Sequence, residues 1–469
     1  MSKSIYLFFI IITLYGCQDS EKNNYNVFVG GDIINPLNNY VILYDPKGKV
    51  DTLYLNSDHK FSHYLKEFNK GIHSFVHGGK YQSLLLENND SLMMHINTHD
   101  FDGSLTFNGI GAKKNNYLID LLSKLENQNS TNNSYYKQQP SDFHESIASG
   151  IAKNTKDLNF FLKNNPNSDL FVKIALSTIN YHYFTKKELY PHRHFGYKLS
   201  TKSEKIPSNF YDFRKQIIYN DIDLKDFYPY YNFLFPHINN LSFEQLTKDQ
   251  IICDLESNNL EYTDYKLFLI DSLVSNPMIK NNLLKYTVRN FISNSKSIDK
   301  SYILYQSYLE KSSNIKDKIY IKNLFKNTQG LQPGFQLPPI EVIDSNNIKS
   351  NINSIINNIS VIYFWDNASR FHFENSHIKV NTLTELFPKI KFIAINVNSM
   401  NTNAWKNMIY AKRYNINNEY RFTNPAFAKK RLAINYIKKV LIVDKNGFIL
   451  NVSADLFNSN FEDILENYN

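Results

Sequence analysis

The spacing of apolar residues changes twice along this 469-residue chain, and the two changes limit what it can fold into. Residues 25–111 carry short runs of branched and aromatic residues, such as Tyr40-Val41-Ile42-Leu43-Tyr44 and Ser83-Leu84-Leu85-Leu86. Turn signals separate them at Pro46-Lys47-Gly48, Gly78-Gly79 and Asn88-Asn89-Asp90. Short strands cut by such turns predict a small antiparallel β-sandwich-like domain or a barrel. From 112 to 330 the spacing turns helical, as in Asn116-Tyr117-Leu118-Ile119-Asp120-Leu121-Leu122, which predicts a region of packed amphipathic helices. Within it, the polar stretch from Gln128 to Ser141 predicts a loop. Residues 331–469 alternate strand and helix patterns, the mark of an α/β unit. The expected class is a multidomain α+β protein, since a chain this long exceeds one ordinary core.

The first residues have a different character. Lys3 is followed by an apolar stretch from Ile5 to Leu14 and then by Tyr15-Gly16-Cys17. A charged start, a short hydrophobic core and a small residue before a cut describe a secretory signal peptide, too short to span a bilayer. With a cysteine at the cut it resembles a bacterial lipoprotein signal. That resemblance implies a signal peptide at 1–16, lipid on Cys17 and a tether over 17–24. The expected location is the bacterial cell envelope, on the outer membrane and facing the periplasm or the surface, with the membrane as a partner through the lipid.

Fifty-two basic and 44 acidic residues leave a formal charge of +8, without a basic run. Nucleic acid is therefore not an expected partner. The only cysteine besides Cys17 is Cys253 in Ile251-Ile252-Cys253, which reads as a small buried hydrophobe. Histidines cluster at His182, His192 and His194, but Arg193 puts a cation between the last two. That tripeptide reads as an exposed loop, and no metal or other cofactor is expected. The aromatic run from Phe227 to Phe235 reads as helical core, with a binding surface as the alternative.

The most telling run is Val361-Ile362-Tyr363-Phe364-Trp365, followed by the polar turn Asp366-Asn367-Ala368 and a helix pattern. Pro333-Gly334-Phe335-Gln336-Leu337 precedes it. After it come Phe392-Ile393-Ala394-Ile395-Asn396-Val397, Trp405 and Val440-Leu441-Ile442-Val443-Asp444. In order and spacing these landmarks resemble the TlpA-like thioredoxin family over 331–469. The resemblance implies a C-terminal α/β thioredoxin-like fold and, in the family, thiol-disulfide oxidoreductase activity. That activity needs two cysteines after the Phe-Trp pair and a cis-proline before the Leu-Ile-Asp strand. Here those positions hold Ser369, His372 and Lys438. Neither a hydroxyl nor an imidazole replaces a thiolate in disulfide exchange, so no catalytic residue is assigned.

Ser369 reads as a helix N-cap whose hydroxyl accepts an N–H from the first turn, ahead of a Ser–His hydrolase pair. Trp365, Arg370 and Phe371, with Ser369, His372 and Lys438, are expected to form a binding face for an envelope protein, peptide or ligand. A redox-inactive binding lipoprotein is thus the expected function. A thiol-disulfide oxidoreductase using a thiol elsewhere is the alternative.

Overall fold

The structure is a computed structural model and describes residues 27–469 apart from 131–133, 166, 197–205, 249–258, 296, 368, 399–401, 459 and 469. The expected signal, Cys17 and Cys253 lie outside the described residues.

Eight strands come first: β1 (Val27–Ile34), β2 (Tyr40–Tyr44), β3 (Val50–Tyr54), β4 (Lys60–Leu65), β5 (Gly71–His77), β6 (Lys80–Leu86), β7 (Ser91–Asn97) and, after the single-turn α1 (Phe101–Ser104), β8 (Thr106–Ile110). They make two four-stranded sheets, β4-β1-β7-β8 and β3-β2-β5-β6. Pairing is antiparallel except for β1 beside β7. Alternate residues such as Val27, Val29, Val41, Leu43, Leu84, Leu86, Leu92 and Met94 are buried and meet in one core between the sheets, which makes a sandwich. At Gly109 the backbone has φ +96°, and a Cβ there would strike the Ser91 carbonyl, so only glycine fits.

Helices follow: α2 (Ala112–Ser130), α3 (Pro140–Asn164), α4 (Asp169–Phe195), α5 (Tyr228–Lys248), α6 (Leu260–Leu273), α7 (Pro277–Asn294), α8 (Ile298–Lys311) and α9 (Ile315–Gln329). Their starts follow local chemistry. Asn276 accepts from the amides of Met278 and Ile279 with Pro277 at the first helical position, and Ser168 and Asn314 cap α4 and α9 in the same way. Two sequence expectations change here. Of the predicted loop at 128–141, residues 128–130 end α2 and 140–141 open α3, so the connection is shorter than expected; it carries a single turn of 3₁₀ helix at Tyr135–Lys137, and 131–133 lie outside the described residues. His192, Arg193 and His194 form the last turn of α4 rather than a loop. The run from Phe227 to Phe235 fills the core: Phe227, Tyr230, Phe233 and Leu234 are buried.

Lys114 ties the sandwich to the helices. It is buried and salt-bridged to Glu87 at 2.9 Å and Asp90 at 2.7 Å, while Ser168 donates to Glu87 at 2.8 Å. Deeper in the helical region, the wholly buried Glu188 of α4 receives four hydrogen bonds. His237 Nδ1 reaches it at 2.6 Å, Arg214 Nε and Nη2 at 2.9 and 2.7 Å, and Asn240 Nδ2 at 2.6 Å. Burial raises the Glu188 carboxyl, but His237 and Arg214 outweigh it and hold the group below the usual range.

The last part contains β9 (Glu341–Ile343), β10 (Lys349–Asn351), β11 (Ser360–Trp365), α10 (Arg370–Leu386), β12 (Lys391–Asn396), α11 (Thr402–Lys412), β13 (Glu419–Phe422), α12 (Pro425–Arg431), β14 (Val440–Val443), β15 (Ile449–Ala454) and α13 (Phe461–Glu466). Its sheet runs β10-β9-β13-β12-β11-β14-β15. The central strands β11 and β12 are parallel, joined by α10, and β14 lies antiparallel on the other side of β11. Every residue of β11 is buried, because both sheet faces are covered. Val361, Tyr363 and Trp365 pack with α10, α11 and α13. Ile362 and Phe364 join the same core as the helical region, which also takes in Ile72 and Leu85 of the sandwich. Between α12 and β14, Asn435 donates to Ser293 at 2.8 Å, Tyr436 donates to Asn294, and Tyr320 of α9 donates to Asn435 at 2.8 Å. This loop is therefore fastened to α7 and α9.

Candidate functional site

Strand β11 ends at Trp365 and the chain turns through Asp366 and Asn367 into α10. Asn398, just beyond β12, steadies the turn by donating to Asp366 at 3.1 Å and to Asn367. Helix α10 thus starts at the edge of the central strands, where a parallel sheet presents its ligand-binding end.

Ser369 sits at the N-cap position and its carbonyl accepts from the Phe373 amide at 2.9 Å. Its hydroxyl makes no capping hydrogen bond, contrary to expectation. The backbone there has φ −104° and ψ 63°. His372 is half-buried on the first turn. Its Nε2 lies 3.4 Å from the Ser376 hydroxyl, and its Nδ1 is buried without a partner among the described residues. Ser369 and His372 are therefore not a hydrogen-bonded pair. Burial pulls the His372 imidazole below its usual range, helped by Lys438 and His377 and opposed by Asp455. A neutral ring at pH 7 follows.

The structure divides the expected face. Phe371 is 84% exposed and Lys438 is exposed, with the peptide bond before Lys438 trans. Arg370 opens α10, and its side chain is outside the described set. Trp365 is not on the face: it is wholly buried, stacked on Phe373 with ring centres 4.4 Å apart. Its indole Nε1 donates to Glu419 at 3.2 Å.

Glu419 belongs to a buried network absent from the sequence reading. His377 Nε2 lies 2.8 Å from Glu419 Oε1, and His377 Nδ1 donates to the Phe373 carbonyl at 2.8 Å. That carbonyl has no proton to give, so it fixes the proton on Nδ1. The Nε2–Glu419 contact then holds one proton, on the nitrogen or the oxygen. Burial pushes the Glu419 carboxyl up, against the pull of His377 and Trp365. Tyr414 stacks on the His377 ring at 3.9 Å and closes the pair from water. No sequence signal marks this pair, because its members are 42 residues apart. Asp455 and Phe457, whose ring lies 5.8 Å from that of His372, are further neighbours of the face.

The arrangement offers hydrogen-bond donors, an exposed aromatic ring and an ammonium. Among the described residues it offers no thiol, and no group of three or more metal-ligating side chains.

No protein-family model and no curated protein sequence matches the chain. Among solved structures, it is similar to the thioredoxin domain of a thiol-disulfide oxidoreductase from Bacteroides vulgatus, at 15% identity and a TM-score of 0.25, over 30% of this chain and 99% of that one. A thiol:disulfide interchange protein from Bacteroides sp. is similar at 15% identity and a TM-score of 0.25, over 30% of this chain and 91% of that one. A thioredoxin-like protein from Bacteroides caccae is similar at 10% identity and a TM-score of 0.32, over 45% of this chain and 78% of that one. The strand order itself, with a helix starting at the end of a central parallel strand and an antiparallel hairpin on its other side, makes the C-terminal part thioredoxin-like in fold.

Proposed function

We propose that the chain is a lipid-anchored protein of the bacterial cell envelope, whose thioredoxin-like part binds a partner protein or peptide and performs no disulfide exchange. The observation that carries this reading is the pair Ser369 and His372 at the start of α10, where the fold's reductases place their sulfurs. Without a thiolate there is no nucleophile for exchange, and fold alone does not supply an activity. The exposed Phe371 on the first turn of α10 and the exposed Lys438 near a neutral His372 support a binding role, since aromatic and polar groups together suit recognition. The signal-like run ending at Gly16-Cys17 supports the anchor.

Insulin reduction by dithiothreitol, followed by turbidity, tests the chemistry. The protein should leave the rate at its background value, as a Cys253→Ser control does. A clear acceleration over that control overturns the redox-inactive reading.

Capture from solubilised envelope tests the binding role. The double change Phe371→Ala with Lys438→Glu should reduce partner recovery at least tenfold and leave the unfolding midpoint in place, because both side chains are exposed. In the same fractionation, a Cys17→Ala chain should leave the membrane pellet. Undiminished capture by the double variant places the binding surface elsewhere, and a Cys17→Ala chain that stays in the pellet removes the anchor.

A further inference from the structure

Helices α2, α4 and α5 enclose a cavity of about 370 Å³, within the size range of small-molecule sites. One stripe of α4 lines it: Thr178, His182, Lys186, Leu189 and Arg193, spaced three or four residues apart and so on one helix face. Lys186 is 4% exposed, yet among the described residues its ammonium has no hydrogen-bond partner and no carboxylate within ion-pair distance. His182, one turn away, has a buried Nε2 that is likewise unpartnered. Buried ammonium groups in proteins are nearly always paired, because an uncompensated charge out of water is costly. The Tyr135 and Tyr183 rings, at 4.5 and 5.4 Å from Lys186 Nζ, offset part of that cost but leave its N–H donors unfilled.

We propose that this cavity binds a small organic anion, its carboxylate held by Lys186 and His182 and its body lying among Tyr136, Tyr181 and Tyr228. The surrounding charges fit. Arg193 is exposed at the mouth and stacked on Tyr136, where it attracts an anion. Glu126, the one acidic residue lining the cavity, is exposed and already receives the Tyr228 hydroxyl at 2.5 Å. Burial pulls Lys186 down to about 8, which still leaves it charged at pH 7. It also pulls His182 down to about 3, so that ring is neutral and donates one N–H. A metal ion is disfavoured by the same ammonium.

Calorimetric titration at pH 7 with benzoate, phenylacetate and 4-hydroxybenzoate tests the site, with benzamide as the neutral control. At least one acid should bind one-to-one, and benzamide at least tenfold more weakly. Lys186→Met should weaken that acid at least tenfold and, without ligand, should not lower the unfolding midpoint, because it removes an unpaired buried charge. Silence from all three acids overturns the proposal. Equal binding of benzoate and benzamide, or of acid to the parent and Lys186→Met, overturns it too. The benzamide comparison needs no variant and holds whatever Lys186→Met does to folding.

Discussion

Replacing Glu188 by alanine should cost about 3–5 kcal/mol of stability, a large share of the roughly 5–15 kcal/mol available to a folded protein. Glu188 has no exposure, and its two oxygens bind His237, both Arg214 nitrogens and Asn240. Removing the carboxylate leaves four buried donors aimed at an empty space. Arg214 keeps Glu244 at 2.8 Å, but that carboxylate is partly exposed and cannot fill the cavity or reach His237. Glu188→Gln should fall between parent and alanine, since it keeps the volume but removes the charge facing Arg214. Urea unfolding at pH 7.5 reads both. A loss below about 1 kcal/mol for Glu188→Ala would mean that the cluster contributes no more than ordinary hydrogen bonds.

Stability should also fall as the pH drops from 7 towards 5, well before carboxylates protonate. Burial, then the Lys186 charge, pulls His182 down to about 3. In the unfolded chain the same ring protonates near 6.5. Below that value the unfolded state binds the extra proton and the folded state refuses it, so acid favours unfolding through the whole window down to about 3. For His182 alone the loss at pH 5 is about 2 kcal/mol. His73, His77, His192 and His372 are also lowered by burial and act with the same sign. Glu188 adds its loss at lower pH, because its pairing vanishes as the carboxyl protonates. Urea midpoints at pH 7.5, 6 and 5 measure the slope, and His182→Phe should flatten it. A midpoint that is level over that range contradicts the assignment.

Much of the architecture was legible because it is written in short-range patterns. The helical spacing at Asn116 to Leu122 falls inside α2, and the apolar runs at 361–365 and 440–443 are β11 and β14. Turn residues such as Asn276-Pro277 mark a helix start by their own hydrogen bonding. The candidate face was only partly legible. A run of consecutive apolar residues in a strand covered on both sides has no alternation to show which side chain turns inwards, so Trp365 was assigned to the surface and lies in the core. The groups that dominate the electrostatics stayed hidden for another reason. Glu188 meets His237 across 49 residues and Glu419 meets His377 across 42, and no local pattern encodes such meetings. The unpartnered Lys186 is a property of its surroundings, invisible in the letters around it.

The loop fastened through Asn435 and Tyr436 to α7 and α9 also carries Lys438, one edge of the face at α10. That makes it a mechanical joint between two regions whose cores already run together. A molecule that binds the face more tightly in one placement of this loop must, by reciprocity, favour the placement of α7 and α9 that goes with it. Binding at the face and the setting of α7 and α9 would then be coupled by the same factor in both directions.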